Sequence, residues 1–224
     1  VKLAAAEVHL LAVGRGTTVA VIDSGVDDTH PDFAGVRIAH FNATGDSVGN
    51  SSEFDTHGTG VAGIIAARGT VKGLAPAADL ASARVCRRGA TGSIGTTEAV
   101  LKAITWSAEI GARVLNMSFA GPRDPLVERH IKVTTARGMI TIAAAGNNGA
   151  RAAPAYPAAY DDVVAVTAVD PTAGVVADHV VAGAGARGLH LAGDGHLCGE
   201  CRALAADDVA VEAFLGEEAA GLGI

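Results

Sequence analysis

The stretch TVAVIDSG, residues 18–25, decides the fold of this chain. Residues 19–22 are all apolar, and a continuous apolar run is typical of a strand in a parallel sheet whose two faces are both covered. Asp23 follows the run directly, and Ser24-Gly25 supplies a turn. The stretch therefore predicts a buried strand that carries one carboxylate to the edge of a parallel sheet.

Further apolar runs of strand length alternate with stretches that have helical spacing. Strands are predicted at 80–85, 114–117, 139–144 and 163–169, and helices at 57–68, 96–110 and 126–136. This alternation predicts an α/β fold with a mostly parallel sheet between helices. In such sheets the functional residues gather at the carboxyl ends of the strands. Asp23, Ser118 and Asn147 each follow a predicted strand, so we expect the site at that edge.

Length and composition favour one domain and exclude some partners. The 224 residues are 49% hydrophobic, which is enough for one sizeable core. The net charge of −7 argues against nucleic acid or an anionic membrane as a partner. No apolar run approaches the roughly 18 residues that span a bilayer, and no signal peptide is visible at the start. Three cysteines, Cys86, Cys198 and Cys201, do not form a disulfide framework.

Asp23 and His57 have the chemistry of a proton-transfer pair. A carboxylate at a strand end can accept a hydrogen bond from an imidazole and hold it in one tautomer. An imidazole titrates near neutral pH and can act as a general base and then as a general acid. The structural alternatives are an Asp that caps a turn and a His that only packs at the start of a helix.

Asn147 is a candidate for stabilising a developing negative charge. Its side-chain amide follows an apolar strand and a glycine, and it can donate to an oxygen that becomes anionic. The alternative is a turn residue, since Asn tolerates positive φ. Because Asn148-Gly149 serves such a turn equally well, we assign the charge-stabilising role to Asn147.

Three blocks in a fixed order resemble the subtilisin-like serine proteases (subtilases, peptidase S8). They are VAVIDSG at 19–25, HGTGVAG at 57–63 and AAGNNG at 144–149, and the resemblance spans about residues 10 to 170. It implies a subtilisin-like three-layer sandwich and peptide-bond hydrolysis through an acyl-enzyme. It also implies that Asp23 orients His57, that His57 moves protons, and that Asn147 stabilises the oxyanion.

The resemblance also implies a polypeptide substrate bound as an added strand. One wall of the groove would be the 115–121 segment, and the opposite wall the 90–94 segment. The pocket for the residue before the cut would be lined by 143–146, whose small side chains favour a large apolar residue. The substrate-binding residues expected from these segments are Gly92, Ser93, Ser118, Phe119, Ala120, Gly121, Ala144, Ala145 and Gly146.

Other family properties are carried over as expectations without assigned residues. Calcium is a common ligand of subtilases, but no ligand cluster can be assigned in this sequence, and no other cofactor is expected. A pro-segment outside this chain, a secreted or periplasmic location and a monomeric state are likewise expected from the resemblance.

The family's fourth block, Gly-Thr-Ser-x-Ala, has no counterpart here, because the last serine in the chain is Ser118. The sequence therefore predicts a catalytic domain at 1–170 and a divergent or frame-shifted tail at 171–224 that replaces the nucleophile segment. Without the nucleophile, catalysis falls by a factor on the order of a million. We expect the chain as written to be inactive.

Three explanations compete for the missing serine. Cys198 could replace it, but GHLCG at 195–199 matches the family block poorly. The chain could be a pseudoprotease that binds peptides without cutting them. The third is a change of reading frame near residue 172, and we favour this one. Read one nucleotide later, with the wobble bases free, the codons for 194–200 can spell Thr-Gly-Thr-Ser-Ala-Ala.

Two other functions are disfavoured by the sequence. Cys198 and Cys201 with His196 suggest zinc or redox chemistry, but a single Cys-x-x-Cys does not supply the four ligands of a structural zinc site. A nucleotide-binding α/β domain is disfavoured because no glycine-rich phosphate loop follows Asp23.

Overall fold

The computed structural model describes residues 5–45, 47–48, 54, 56–89, 92–147, 153–169 and 187–192. Within these residues, eight strands form one sheet in the order β10-β9-β8-β7-β1-β4-β2-β3, and a separate hairpin pairs β5 with β6. The strands of the sheet are β1 (Thr18–Asp23), β2 (Ile38–Asn42), β3 (Ser47–Val48), β4 (Asp79–Arg84), β7 (Val114–Met117), β8 (Ile140–Ala144), β9 (Val163–Val169) and β10 (Arg187–Ala192). The hairpin strands are β5 (Cys86–Gly89) and β6 (Gly92–Gly95).

The described part of the chain also contains four α-helices: α1 (Ala5–Leu11), α2 (Thr56–Ala66), α3 (Thr97–Glu109) and α4 (Pro125–Ala136). Every pairing within the sheet is parallel except that of β2 with β3. Side chains of α3 and α4 pack on one face, and those of α2 on the other. The predicted α/β sandwich with a mostly parallel sheet is confirmed.

The helices on the two faces come from crossovers of opposite hand. From β2 through α2 to β4, from β4 through α3 past β1 to β7, and from β7 through α4 to β8, the chain moves in one direction along the sheet. Crossovers of the same hand that run in one direction place their helices on the same face, but α2 packs on the face opposite to α3 and α4, so the α2 crossover is an exception to the usual uniform handedness. The strand that ends at Asp23 lies in the middle of the sheet.

The larger core lies between the sheet and the α3–α4 layer. Ile22, Leu115 and Met117 point into it from the strands, and Ile104 and Ile131 meet them from the two helices, all with at most 1% exposure. The ring of Trp106 stacks on that of Phe41 with 5.3 Å between centroids, so the far strand β2 is tied to the same layer.

Helix starts follow local capping rules. Thr96 caps α3 by accepting from the Ala99 amide at 3.2 Å, and Asp124 caps α4 by accepting from Leu126 N at 2.8 Å and Val127 N at 3.3 Å. Both caps stand directly before the periodic apolar stretches from which the helices were predicted. The predicted ends are therefore close to the observed ones.

The sequence analysis did not predict α1, the β5–β6 hairpin or the strands β2, β3 and β10. Strand β2 reads IAHFN, in which a histidine interrupts the apolar pattern. Strand β10 lies within the segment predicted as a tail, and it pairs in parallel with β9 over Arg187–Ala192. Cys198 and Cys201 lie outside the described residues, as does 202–215, where the spacing of Leu204, Val211, Phe214 and Leu215 predicts a helix.

We expect Leu115→Ala to lower the free energy of unfolding by about 2–5 kcal/mol, because the side chain is fully buried and leaves a cavity. Leu126→Ala, the same change at a side chain that is 54% exposed, should cost less than about 0.5 kcal/mol. Urea unfolding of both variants measures the difference. Equal losses would contradict the described core.

Candidate active site

Asp23 ends the central strand with its side chain buried, at 4% exposure. Its Oδ1 accepts three hydrogen bonds: from the Ser24 amide at 2.6 Å, from Ser24 Oγ at 3.0 Å and from His57 Nδ1 at 2.8 Å. Its Oδ2 is buried and accepts no hydrogen bond from a described residue. The carboxylate therefore holds the imidazole through Oδ1, and the two hydrogen bonds from Ser24 fix the position of that oxygen.

His57 lies in the first turn of α2, and its side chain is 11% exposed. An ionised carboxylate only accepts hydrogen bonds, so Nδ1 of His57 carries the hydrogen in this pair. In the neutral ring, Nε2 is then the acceptor, which is the form that a general base requires. The two residues predicted as a proton-transfer pair are thus in contact, although they are 34 residues apart in the sequence.

The start of α2 is fastened to the loop after β1 by two further hydrogen bonds. The Gly58 amide donates to Ser24 Oγ at 3.1 Å, and Thr59 Oγ1 accepts from the Asp27 amide at 3.0 Å. Ser24 thereby contacts Asp23 directly, and it contacts Gly58, the residue next to His57. The sequence analysis assigned no role to Ser24 or Thr59, and the only signal was their position beside Asp23 and His57.

Close packing at Gly58 excludes a larger residue. A Cβ atom added there would overlap the carbonyl oxygen of Gly25 and lie 3.2 Å from Asp23 Oδ1. The glycine therefore allows the helix to approach the end of β1 closely enough for the Asp23–His57 hydrogen bond.

Asn147 follows strand β8 at the same edge of the sheet. Ala145 donates its amide to Val166 O at 2.8 Å, and Gly146 adopts φ +86°, a value that favours glycine. The turn places the half-buried Asn147 directly after the buried segment Ala144–Gly146. Its neighbours Asn148 and Gly149 lie outside the described residues.

The segment after β7 contributes mainly its backbone to this edge. Ser118 is fully buried, and its Oγ accepts from Asn116 Nδ2 at 2.9 Å, so its side chain points into the protein. Phe119 and Ala120 are half-buried and Gly121 is exposed. A Cβ atom added at Gly146 would lie 4.0 Å from Ala120 Cβ, so the 118–121 and 144–146 segments lie side by side.

The hairpin that contains Gly92 and Ser93 leaves the sheet beside Asp23. The Val85 amide donates to Asp23 O at 2.8 Å, and β5 begins at the next residue. Ser93 is half-buried and Ile94 is exposed. The assignment of Gly92 and Ser93 to the opposite wall of a groove stays a prediction, and Ala90 and Thr91 lie outside the described residues.

A second histidine–carboxylate contact lies next to the site. Nε2 of the buried His40 is 3.2 Å from Asp28 Oδ2, which links β2 to the loop after β1. From the sequence, Asp28 is predicted to be a solvated turn residue and His40 to have no special surroundings. A single sequence contains no signal for this contact, because the two residues meet only when β2 lies beside β4.

The described residues contain no group of three or more His, Cys, Asp or Glu side chains that could hold a metal ion. The buried carboxylate of Asp32 does not suit a cation, because its Oδ1 accepts from Thr70 N at 2.7 Å and its Oδ2 from Val71 N at 3.2 Å. We therefore assign no calcium ligand, and calcium binding stays a prediction. Within the same residues, no helix is both long and apolar enough to cross a membrane.

Comparison with known proteins identifies the family. The sequence profile of the Subtilase family (peptidase S8) matches residues 14–193. The major intracellular serine protease of Bacillus subtilis strain 168 is 35% identical over 167 residues, which cover 70% of this chain and 52% of that protein. Thermitase of Thermoactinomyces vulgaris is 34% identical over 174 residues, covering 75% and 61% respectively.

Solved structures agree with the sequence comparison. The prenylagaramide maturation protease PagA superimposes with a TM-score of 0.74 at 26% identity, covering 86% of this chain and 68% of that one. A cold-adapted subtilisin-like serine proteinase gives a TM-score of 0.65 at 27% identity, covering 75% and 60%.

The chain belongs to the subtilase family. The resemblance drawn from its three motifs is confirmed, and the family match continues past residue 170, through β10, to residue 193. The chain spans about half the length of the curated relatives that it matches.

We expect Gly58→Ala to destabilise the fold by about 1–3 kcal/mol, because the added methyl group overlaps Gly25 O and forces α2 away from β1. In Gly45→Ala the new methyl group would make only an ordinary contact, 3.5 Å from Asn42 Nδ2, so this matched control should unfold like the parent. Chemical denaturation compares the two. A Gly58→Ala protein as stable as the parent would contradict the close packing at the start of α2.

Proposed function

We propose that this chain is a subtilisin-like serine endopeptidase domain, built to bind polypeptides and hydrolyse them through an acyl-enzyme, and that this sequence is inactive because no serine follows Asn147. The observation that carries the proposal is the 2.8 Å contact between Asp23 Oδ1 and His57 Nδ1 at the carboxyl edge of a subtilase sheet. An imidazole held in this orientation can take the proton of a nucleophile. The sequence, however, supplies no serine after Asn147.

In the proposed mechanism the proton moves through His57. Nε2 would take the proton of an attacking hydroxyl and later give it to the leaving amine, while Asp23 stabilises the imidazolium. The amide of Asn147 would donate to the carbonyl oxygen as it becomes negative. The attack itself needs the hydroxyl of a serine, and no serine follows Asn147. The acyl-enzyme therefore cannot form by the family's route.

A catalytically dead peptide-binding module is the second candidate. It is favoured by the buried side chain of Ser118, which leaves the backbone of 118–120 to pair with a peptide. The small buried residues Ala144–Gly146 beside it would leave room for a large apolar side chain.

The gene sequence distinguishes a divergent tail from a frame-shifted one. The pairing of β10 with β9 and the family match through residue 193 support a family-like chain up to that point. If the frame changes, we therefore place the change after residue 193 rather than near 172. An early stop codon in the shifted frame would exclude the frame change.

The remaining family properties are proposals for the whole protein. We propose a polypeptide substrate, a pro-segment outside this chain, secretion or periplasmic placement and a monomeric state. The relatives do not decide the location, since one of them is named an intracellular protease. Calcium is proposed without ligands, and neither nucleic acid nor membrane is proposed as a partner.

The first test is reaction of the purified chain with a fluorophosphonate probe, read by intact mass, together with turnover of labelled casein. We expect no adduct and no turnover, because no serine follows Asn147 in the sequence. Thermitase, treated in parallel, is the positive control. A stoichiometric adduct on a folded sample would overturn the account of a missing nucleophile, and peptide mapping would identify the labelled side chain.

A further inference from the structure

One segment, residues 155–160, contacts two walls of the proposed pocket for the residue before the cut: the groove wall at 118–121 and the pocket wall at 144–146. It follows the loop after β8 and leads into β9. Its last residue, Tyr160, is 4% exposed, and its hydroxyl accepts from the Asp124 amide at 3.0 Å and donates to the Asp124 carbonyl at 2.8 Å. One side chain thus satisfies both backbone groups of a residue that lies 36 positions away.

The backbone of the same segment holds the wall formed by 118–121. Gly121 N donates to Tyr156 O at 2.8 Å, and Tyr156 N donates to Gly121 O at 3.1 Å, which forms an isolated antiparallel bridge. The rings of Tyr156 and Tyr160 lie 4.7 Å apart between centroids. The stretch 121–124 is therefore fastened at both ends to 156–160.

The other wall is reached through Ala155. A Cβ atom added at Gly146 would lie 3.2 Å from the Cβ of Ala155, which is tighter than ordinary van der Waals contact. Since Ala155 immediately precedes Tyr156, the spacing between 118–121 and 144–146 is set by a segment of a few residues.

The contact of Tyr160 with Asp124 is separate from the cap of α4. The carboxylate of Asp124 caps the helix through Oδ1 and accepts from Thr97 Oγ1 at 2.7 Å through Oδ2. Tyr160 touches only the backbone of Asp124 among the hydrogen bonds described. Removal of the Tyr160 hydroxyl therefore affects the backbone conformation of 121–124 and leaves the cap of α4 intact.

We propose that Tyr160 is a positioning residue for peptide binding, which fixes the distance between the two walls by holding the backbone at Asp124. The proposal rests on the peptide-binding function proposed above. It extends that function to a residue that would not itself touch the peptide.

The protonation state of Tyr160 supports this role. Burial raises the pKa of the Tyr160 hydroxyl above its ordinary value, so the hydroxyl keeps the proton that it donates to the Asp124 carbonyl. Because the folded pKa is the higher one, this stabilisation is present below about pH 10 and is lost as the pH rises through the folded value.

The test compares Tyr160→Phe with Tyr156→Phe, which removes a hydroxyl from the neighbouring ring. No hydrogen bond of the Tyr156 hydroxyl is found among the described residues, so this variant is a matched control. Two readouts are used on the full chain: hydrogen exchange of the Gly121 amide by NMR, and the affinity for fluorescein-labelled Ala-Ala-Ala-Phe amide by fluorescence anisotropy.

We expect Tyr160→Phe to speed exchange at Gly121 and to weaken the peptide affinity about fivefold, while Tyr156→Phe matches the parent. The amide of Ile22, in the central strand, should keep its protection in both variants, which shows that the fold is intact. Unchanged exchange at Gly121 would overturn the proposal. So would faster exchange with full peptide affinity, which would leave Tyr160 a purely structural role.

If the parent itself binds no peptide, the proposed function fails, and so does the positioning role that rests on it. The exchange measurement remains informative in that case, because it shows whether Tyr160 fixes the 121–124 backbone. The two failures are therefore distinguished by the behaviour of the parent protein.

Discussion

The burial of the Asp23 carboxylate is the constraint on which the rest of the site depends. A charge removed from water must be compensated by hydrogen-bond donors, and here three donors converge on Oδ1. Two of them come from Ser24, which is the next residue, but the third belongs to His57. The third donor reaches Oδ1 only when α2 begins directly against the end of β1, and Gly58 is the residue that permits this approach.

The same rule operates at the other end of α2. Asp32 is also buried, and its carboxylate accepts from the amides of Thr70 and Val71 in the turn after the helix. A Cβ atom added at Gly69 in this turn would overlap Asp32 Oδ1. Two buried carboxylates from one stretch of chain therefore hold α2 at both ends, which leaves His57 little freedom to move along the sheet.

The walls of the proposed peptide site are organised differently, through backbone groups rather than charge. The pairing of Gly121 with Tyr156 and the small residues of 144–146 set their spacing. Backbone pairing makes few demands on side chains, which suits a groove that accepts many peptides. In the proposed function, the absence of serine after Asn147 removes bond cleavage and leaves the Asp23–His57 pair in place, so we propose that peptide binding and bond cleavage are separable in this chain.

The sequence alone was enough for the α/β class, for half of the described strands and for three of the four described α-helices. These follow from local patterns, because apolar runs and helical spacing are encoded over a few neighbouring positions. The pairing of Asp23 with His57 was expected from the resemblance of the three motifs to a known family, since the two residues are 34 positions apart. Only the tertiary structure decided that Ser118 points inward, that Asp28 meets His40, and that Tyr160 holds the backbone of Asp124. Each of these contacts joins side chains or backbone whose directions depend on how strands and loops are placed beside one another, and no local pattern in a single sequence specifies that placement.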